Sequence, residues 1–193
     1  MLAPFSTNVR PQKDVKATLK PYQVPWMISP SMSGVTLIHG ESDTSPECRV
    51  IFGAGRLQAT DLIDSRCIEL TFENCAHARV SPKHDDYGLD REGFNLIDDG
   101  SPSGVAYLKW LPSQWRQLGY CPRSGFWVAL SSPWLNELRI NGSHHYVVAG
   151  RNGYVEVIAS SFSWREWEWT SGRRDDVVHS QSIANGSGNG FAA

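Results

Sequence analysis

Residues 143–150 (Ser-His-His-Tyr-Val-Val-Ala-Gly) and 154–160 (Tyr-Val-Glu-Val-Ile-Ala-Ser) are two apolar runs separated by Arg151-Asn152-Gly153. No other stretch restricts the fold as tightly. Asn-Gly between two such runs favours a tight primed turn, because both central residues of that turn take positive φ. The turn sets Val148 against Val157, Tyr146 against Ala159, Ala149 against Glu156 and His145 against Ser160. One face of this hairpin is wholly apolar, and the other is mixed.

A second period-two pattern runs through Cys67-Ile-Glu-Leu-Thr-Phe-Glu73. Ile68, Leu70 and Phe72 share one face and Glu69, Thr71 and Glu73 the other, the mark of a half-buried strand. After a kink at Asn74, residues 76–80 continue as strand. Further strands are predicted at 34–39, at 48–52 (broken by Gly53-Ala-Gly55), at 105–110 and at 125–130. Residues 111–118 read as a short helix or turn. Residues 132–138 read as a short helix, with Ser132 suited to the N-cap and Pro133 to the first helical position. In residues 162–169, Phe162 and Trp164 have one parity and Trp167 and Trp169 the other, so a bulge near Arg165-Glu166 is expected. The predicted fold is α+β, mainly β: a largely antiparallel sheet, as a sandwich or partly closed barrel, with one or two short helices.

Three regions follow. Residues 1–31 hold five prolines and read as an extended lead-in that Tyr22, Trp26 and Met27 could pin to the body. Residues 32–170 form a single strand-rich domain. Residues 171–193 are polar and Gly-rich and are expected to be disordered, since little apolar burial offsets their ordering entropy. Residues 81–104 are the longest irregular stretch and are locally acidic, a pattern often tied to function or mobility.

Composition narrows the function classes. The net charge is -2, and Arg173-Arg174 is answered at once by Asp175-Asp176, so no basic stripe offers itself to nucleic acid. No run approaches the length of a membrane span, and residues 1–10 lack the pattern of a signal peptide. A cytoplasmic location is therefore expected. Cys48, Cys67, Cys75 and Cys121 form no Cys-x-x-Cys pair and read as free thiols packed in strands.

The signatures of P-loop, nucleophile-elbow, zincin and dinucleotide-binding enzymes are absent. Weaker candidates remain. His144 and His145 are adjacent on a strand and point to opposite faces, so they do not chelate one metal together. Glu156 lies on the mixed face of the hairpin, where covering that face would raise its pKa and suit it to acid–base work. His39, with Glu41 nearby, is a third candidate. His84, Asp85, Asp86 and Asp90 resemble an oxygen-rich cation loop but lack EF-hand spacing, and His77 beside Glu73 is weaker still. No metal site and no cofactor are expected. Trp164, Trp167 and Trp169 suit either a core or a partner-binding surface, as Trp serves both.

Residues 145–159, 131–138 and 67–75 resemble segments of a group of uncharacterised bacterial single-domain proteins. The resemblance implies a bacterial, cytosolic, strand-rich domain and no catalytic residue. Two readings of function follow. One is a non-catalytic protein-interaction domain, for example a toxin-neutralising immunity protein, with Trp164, Trp167 and Trp169 at the contact. The other is a small enzyme with an aromatic-lined pocket that works on an apolar metabolite through Glu156, His145 and His39.

Overall fold

The computed structural model describes residues 16–28, 34–41, 46–57, 63–83, 89–98 and 100–168. The expected disorder of residues 171–193 lies outside these, as do His84, Asp85 and Asp86. Among these described residues there are eleven strands: β1 (Thr18–Pro21), β2 (Met27–Ile28), β3 (Val35–Glu41), β4 (Pro46–Leu57), β5 (Ile63–Glu73), β6 (His77–Pro82), β7 (Asn95–Leu96), β8 (Phe126–Ser131), β9 (His144–Ala149), β10 (Gly153–Ala159) and β11 (Ser161–Glu168). Helix α1 (Val105–Leu118) precedes β8, and α2 (Pro133–Leu138) links β8 to β9. The first sheet has the order β6-β10-β9-β8-β1-β7, and the second β11-β5-β4-β2 with β3 beside β4. Every pairing is antiparallel except the two-residue β1–β7 contact. The sheets do not close into a barrel.

The alternating residues do what their period dictates. Ile68, Leu70 and Phe72 from β5 meet Tyr146, Val148, Val155 and Val157 from the hairpin in one core between the sheets. Trp26 and Phe126 lie in the same core and are fully buried. The Pro-rich stretch is thus more than a lead-in: β1 is an interior strand and Trp26 is a core residue. A second core lies on the outer side of the first sheet, where Leu89 and Phe94 cover Leu19, Trp127, Val147 and Tyr154. The irregular acidic stretch therefore supplies a lid of a 3-10 turn (Leu89–Glu92) and β7 over that face.

One two-stranded ribbon runs through both sheets. β5 pairs with β11 in one, and their continuations β6 and β10 pair in the other. The ribbon folds over at Asn74, whose φ is 49°. Between Glu73↔Ser161 and His77↔Ile158, three residues (Asn74, Cys75, Ala76) oppose two (Ala159, Ser160). An extra residue on one strand sharpens the local bend, which is how a strand turns a sandwich corner. The corner is pinned by Ser160 N–H to the Glu73 carbonyl (3.0 Å), Ala76 N–H to the Ile158 carbonyl (2.8 Å) and Asn74 Nδ2 to Ser160 Oγ (2.9 Å).

Four expectations need correction. The bulge is at this corner and not at Arg165-Glu166, where β11 follows β5 without a slip. Gly53-Ala-Gly55 does not break β4; the strand continues because β5 on one side and β2 on the other keep its backbone in ladders. Residues 105–110 are the first turns of α1, not a strand. Leu111 and Trp115 are one helical turn apart and both buried, and Gly119 closes the helix in a left-handed cap (φ 75°) with its N–H to the Trp115 carbonyl. Pro112 in the helix interior hid the pattern, because it usually ends a helix.

The fourth concerns the hairpin register, which is slipped by two residues: Val148 faces Val155, Val147 faces Glu156 and His145 faces Ile158. Gly150 donates to the Gly153 carbonyl (2.9 Å), so Arg151 and Asn152 form the tip, and neither has positive φ. A slip of two preserves the faces. The reason is tertiary. A Cβ on Gly150 would sit 2.5 Å from Val35 Cγ2, and one on Gly153 3.0 Å from the Ser81 carbonyl oxygen. Both glycines are placed by close neighbours and not by turn geometry.

Candidate functional site

Four elements bring one polar row together on the outer face of the first sheet. Arg79 on β6 stands directly opposite Glu156 on β10. Its guanidinium donates twice to the carboxylate, Nε to Oε2 at 2.6 Å and Nη2 to Oε1 at 2.8 Å. His145 on β9 is the diagonal neighbour, with Nε2 3.2 Å from Glu156 Oε1, off the line of a well-directed hydrogen bond. Its Nδ1 lies 2.9 Å from Ser132 Oγ at the start of α2. Ser132, His145 and Glu156 are all buried, and Arg79 carries the row out to solvent.

Trp134, from the first turn of α2, packs over this row. Arg79 Cζ is 4.1 Å from its ring centroid, and the His145 ring meets it edge-on at 5.5 Å. Cation–π packing of this kind favours the paired guanidinium geometry. The local cause of α2 is the Ser132 cap: its Oγ accepts from Leu135 N–H at 3.1 Å, and Pro133 fills the first helical position. The same oxygen therefore caps the helix and touches the histidine.

Burial pushes the Glu156 carboxyl upward, but the close His145 Nε2 and the doubly bonded Arg79 guanidinium together outweigh it. The group is held below the ordinary 4.5. This corrects the expectation that covering the face would raise it. Glu156 is a fixed anion and not a proton donor near neutrality. His145 thus lies between the Glu156 carboxylate at Nε2 and the Ser132 hydroxyl at Nδ1.

The other candidates lie elsewhere. His39 is exposed on β3, in the opposite sheet, paired with Cys48 in register. His144 is exposed, and His77 is exposed with its ring 6.1 Å from Trp134. Asp90 is exposed in the 3-10 turn. Among the described residues no group of three His, Cys, Asp or Glu side chains is placed to hold a metal. Trp164 is buried in the inter-sheet core, edge-on to Trp26 at 6.1 Å. Trp167 holds the position opposite Cys67 on β11, and Trp169 lies outside the described residues.

Arg79, Ser132 and Trp134 were not singled out as site residues from the sequence. Ser132 was legible as a cap; that its oxygen also meets a histidine 13 residues on follows only from the β8–α2–β9 path. Nothing local marks Arg79, which meets Glu156 across 77 residues of chain.

A second charged row crosses the outer face of the other sheet, where Glu69 is buried between Arg49 (3.4 Å) and Arg165 (2.9 Å). On α1, by contrast, Val105 is 75% exposed and Leu108 70%. Leu108 lies beside the arc of buried Leu111 and Trp115, which pack with Cys121, whereas Val105 lies nearer the side of Lys109 and Arg116. Apolar side chains in the first turn of α1 thus stand in solvent. Among the described residues no helix is long and apolar enough to cross a membrane. Compared with known family models, with curated proteins and with solved structures, the chain matches none.

Proposed function

We propose that the chain is a non-catalytic protein-interaction domain whose partner docks on the N-terminal half of α1. The observation that carries this is the exposure of Val105 and Leu108 on a helix that is anchored to the body by buried Leu111 and Trp115. Protein interfaces have apolar centres and polar rims. Helix α1 contains Lys109 and Arg116 and no acidic residue, so the partner that fits is a protein surface with an apolar centre and an acidic rim. Trp167 and Trp169 are kept as further contact candidates, while Trp164 belongs to the core. Neutralisation of a toxin in the bacterial cytoplasm is the specific form of this role that the sequence reading favours.

The test compares the wild-type chain with the double variant V105E/L108E as bait in extracts of the source organism. The expected result is a partner held by the wild type and lost by the variant, with the melting temperature unchanged. Equal capture by both, or none by either, sinks the reading.

Acid–base catalysis is the second reading, and the Ser132–His145–Glu156 chain of contacts favours it. A hydroxyl, an imidazole and a carboxylate in series are the parts of an activated nucleophile. Yet all three are buried, and Ser132 Oγ already serves the α2 cap. A fluorophosphonate probe that labels Ser132 in the folded protein would establish this reading over the first.

A further inference from the structure

Asn-Gly occurs four times in the chain, at residues 141–142, 152–153, 185–186 and 189–190, and the last two lie outside the described residues. The other two differ in their surroundings. Asn141 and Gly142 are both exposed, in the five-residue link (139–143) between α2 and β9. Gly142 has a φ of 75°, and among the described residues no atom beyond its chain neighbours comes within 4 Å of where its Cβ would be. Asn152 is exposed too, but it is the last residue before β10. Its carbonyl accepts from the Lys83 N–H (3.1 Å), and the Gly153 carbonyl accepts from the Gly150 N–H (2.9 Å). A Cβ on Gly153 would sit 3.0 Å from the Ser81 carbonyl oxygen, so β6 crowds this glycine.

We propose that Asn141 is a deamidation site, converting to aspartate and isoaspartate, while the fold protects the identical dipeptide at Asn152. The reaction needs the backbone nitrogen of the following residue to reach the Asn side-chain carbon. Glycine permits this, having no Cβ to shield its nitrogen. It also needs the Asn carbonyl to rotate about ψ. At residue 141 neither partner belongs to a helix or strand, and the space around Gly142 is open. At residue 152 the same rotation breaks the bond from Lys83 and turns Gly153 against β6.

The Gly142 backbone nitrogen attacks the Asn141 side-chain carbonyl carbon. A new N–C bond forms, the bond to the side-chain nitrogen breaks, and that nitrogen leaves as ammonia with the proton given up by the Gly142 N–H. Water then opens the cyclic imide at either carbonyl, adding hydroxyl to the carbon and a proton to the nitrogen. One opening gives aspartate; the other gives isoaspartate, in which the chain runs through the side-chain carbon. Nothing is oxidised or reduced. Both products add a carboxylate to the link, and the isoaspartyl form lengthens its backbone. That link ties the Ser132-capped helix to the strand bearing His145.

The test ages the native chain in mildly alkaline buffer beside a sample unfolded in guanidinium chloride, and follows the tryptic peptides by mass spectrometry. Cleavage after Arg139, Arg151 and Arg165 puts Asn141 in peptide 140–151 and Asn152 in peptide 152–165. In the native sample, peptide 140–151 is expected to exchange amide for acid at least about tenfold faster, since hydrogen bonds and a crowded glycine oppose the other site. A protein isoaspartate methyltransferase should label that peptide in preference. In guanidinium the two rates should come together. Comparable native rates, a faster rise in 152–165, or a peptide 140–151 that keeps its amide overturns the proposal. So does a native difference that survives unfolding, because the fold would then not be its cause.

Discussion

His145 and Arg79 together keep Glu156 ionised against its burial. A buried carboxylate without a partner is costly, and breaking a buried pair typically costs about 3–5 kcal/mol. Arg79 is itself half in water, and His145 stays beside the carboxylate in its absence. Arg79→Met is therefore expected to lose less, about 2–3 kcal/mol at pH 7 by urea unfolding. The sign of the pH response differs between the two proteins. In the wild type the folded carboxyl is held below 4.5, so the unfolded chain takes up the proton first on acidification. The stabilisation from this group is complete above the ordinary carboxyl value and is lost as pH falls through the lowered folded value. In Arg79→Met, burial prevails and the folded carboxyl titrates above its ordinary range. That variant should regain stability as pH falls from 7 to 5. Parallel pH profiles for the two proteins would show that Arg79 does not set the charge of Glu156.

Among the elements, the β9–β10 hairpin and α1 show how neighbours override local preference. Asn152-Gly153 reads as a primed turn, yet Gly153 sits inside β10 because β6 comes within 3.0 Å of where its Cβ would be. Gly150→Ala is expected to cost about 1–3 kcal/mol through its clash with Val35. Much of that should return in the double variant with Val35→Ala, as a positive coupling in a double-mutant cycle. An additive cycle would show that Val35 is not the obstacle. In α1, Pro112 removes an N–H and crowds the carbonyl of Leu108, four residues back, an arrangement that costs about 3 kcal/mol in a helix interior. Pro112→Ala should raise the melting temperature, since its side chain is only half-buried and little packing is lost. A fall would mean that the Pro112 ring itself is needed where α1 meets β4.

Across the whole molecule, the two sheets are one cooperative body because the ribbon β5–β6/β10–β11 belongs to both. The N-terminal strands complete it: β1 sits between β8 and β7, and Trp26 packs on Phe52, Phe126 and Trp164. A chain starting at residue 32 lacks an interior strand and a buried Trp, and loss of a buried Trp side chain alone costs about 3–5 kcal/mol. Such a chain is expected to show no cooperative thermal transition by circular dichroism. A sharp transition near that of the full chain would place residues 16–28 outside the folding unit.

Side-chain alternation was readable before any coordinates, and it sufficed for the strand-rich class, the inward faces of β5, β9 and β10, and the Ser132–Pro133 helix start. These depend on neighbours one to four positions away, which the linear order displays. The pairing of β6 with β10, the corner at Asn74 and the Arg79–Glu156–His145–Ser132 row join residues far apart in the chain. Their energy comes from burial and from charge neutralised across strands. Those terms exist only once the two sheets have met, so no local pattern announces them.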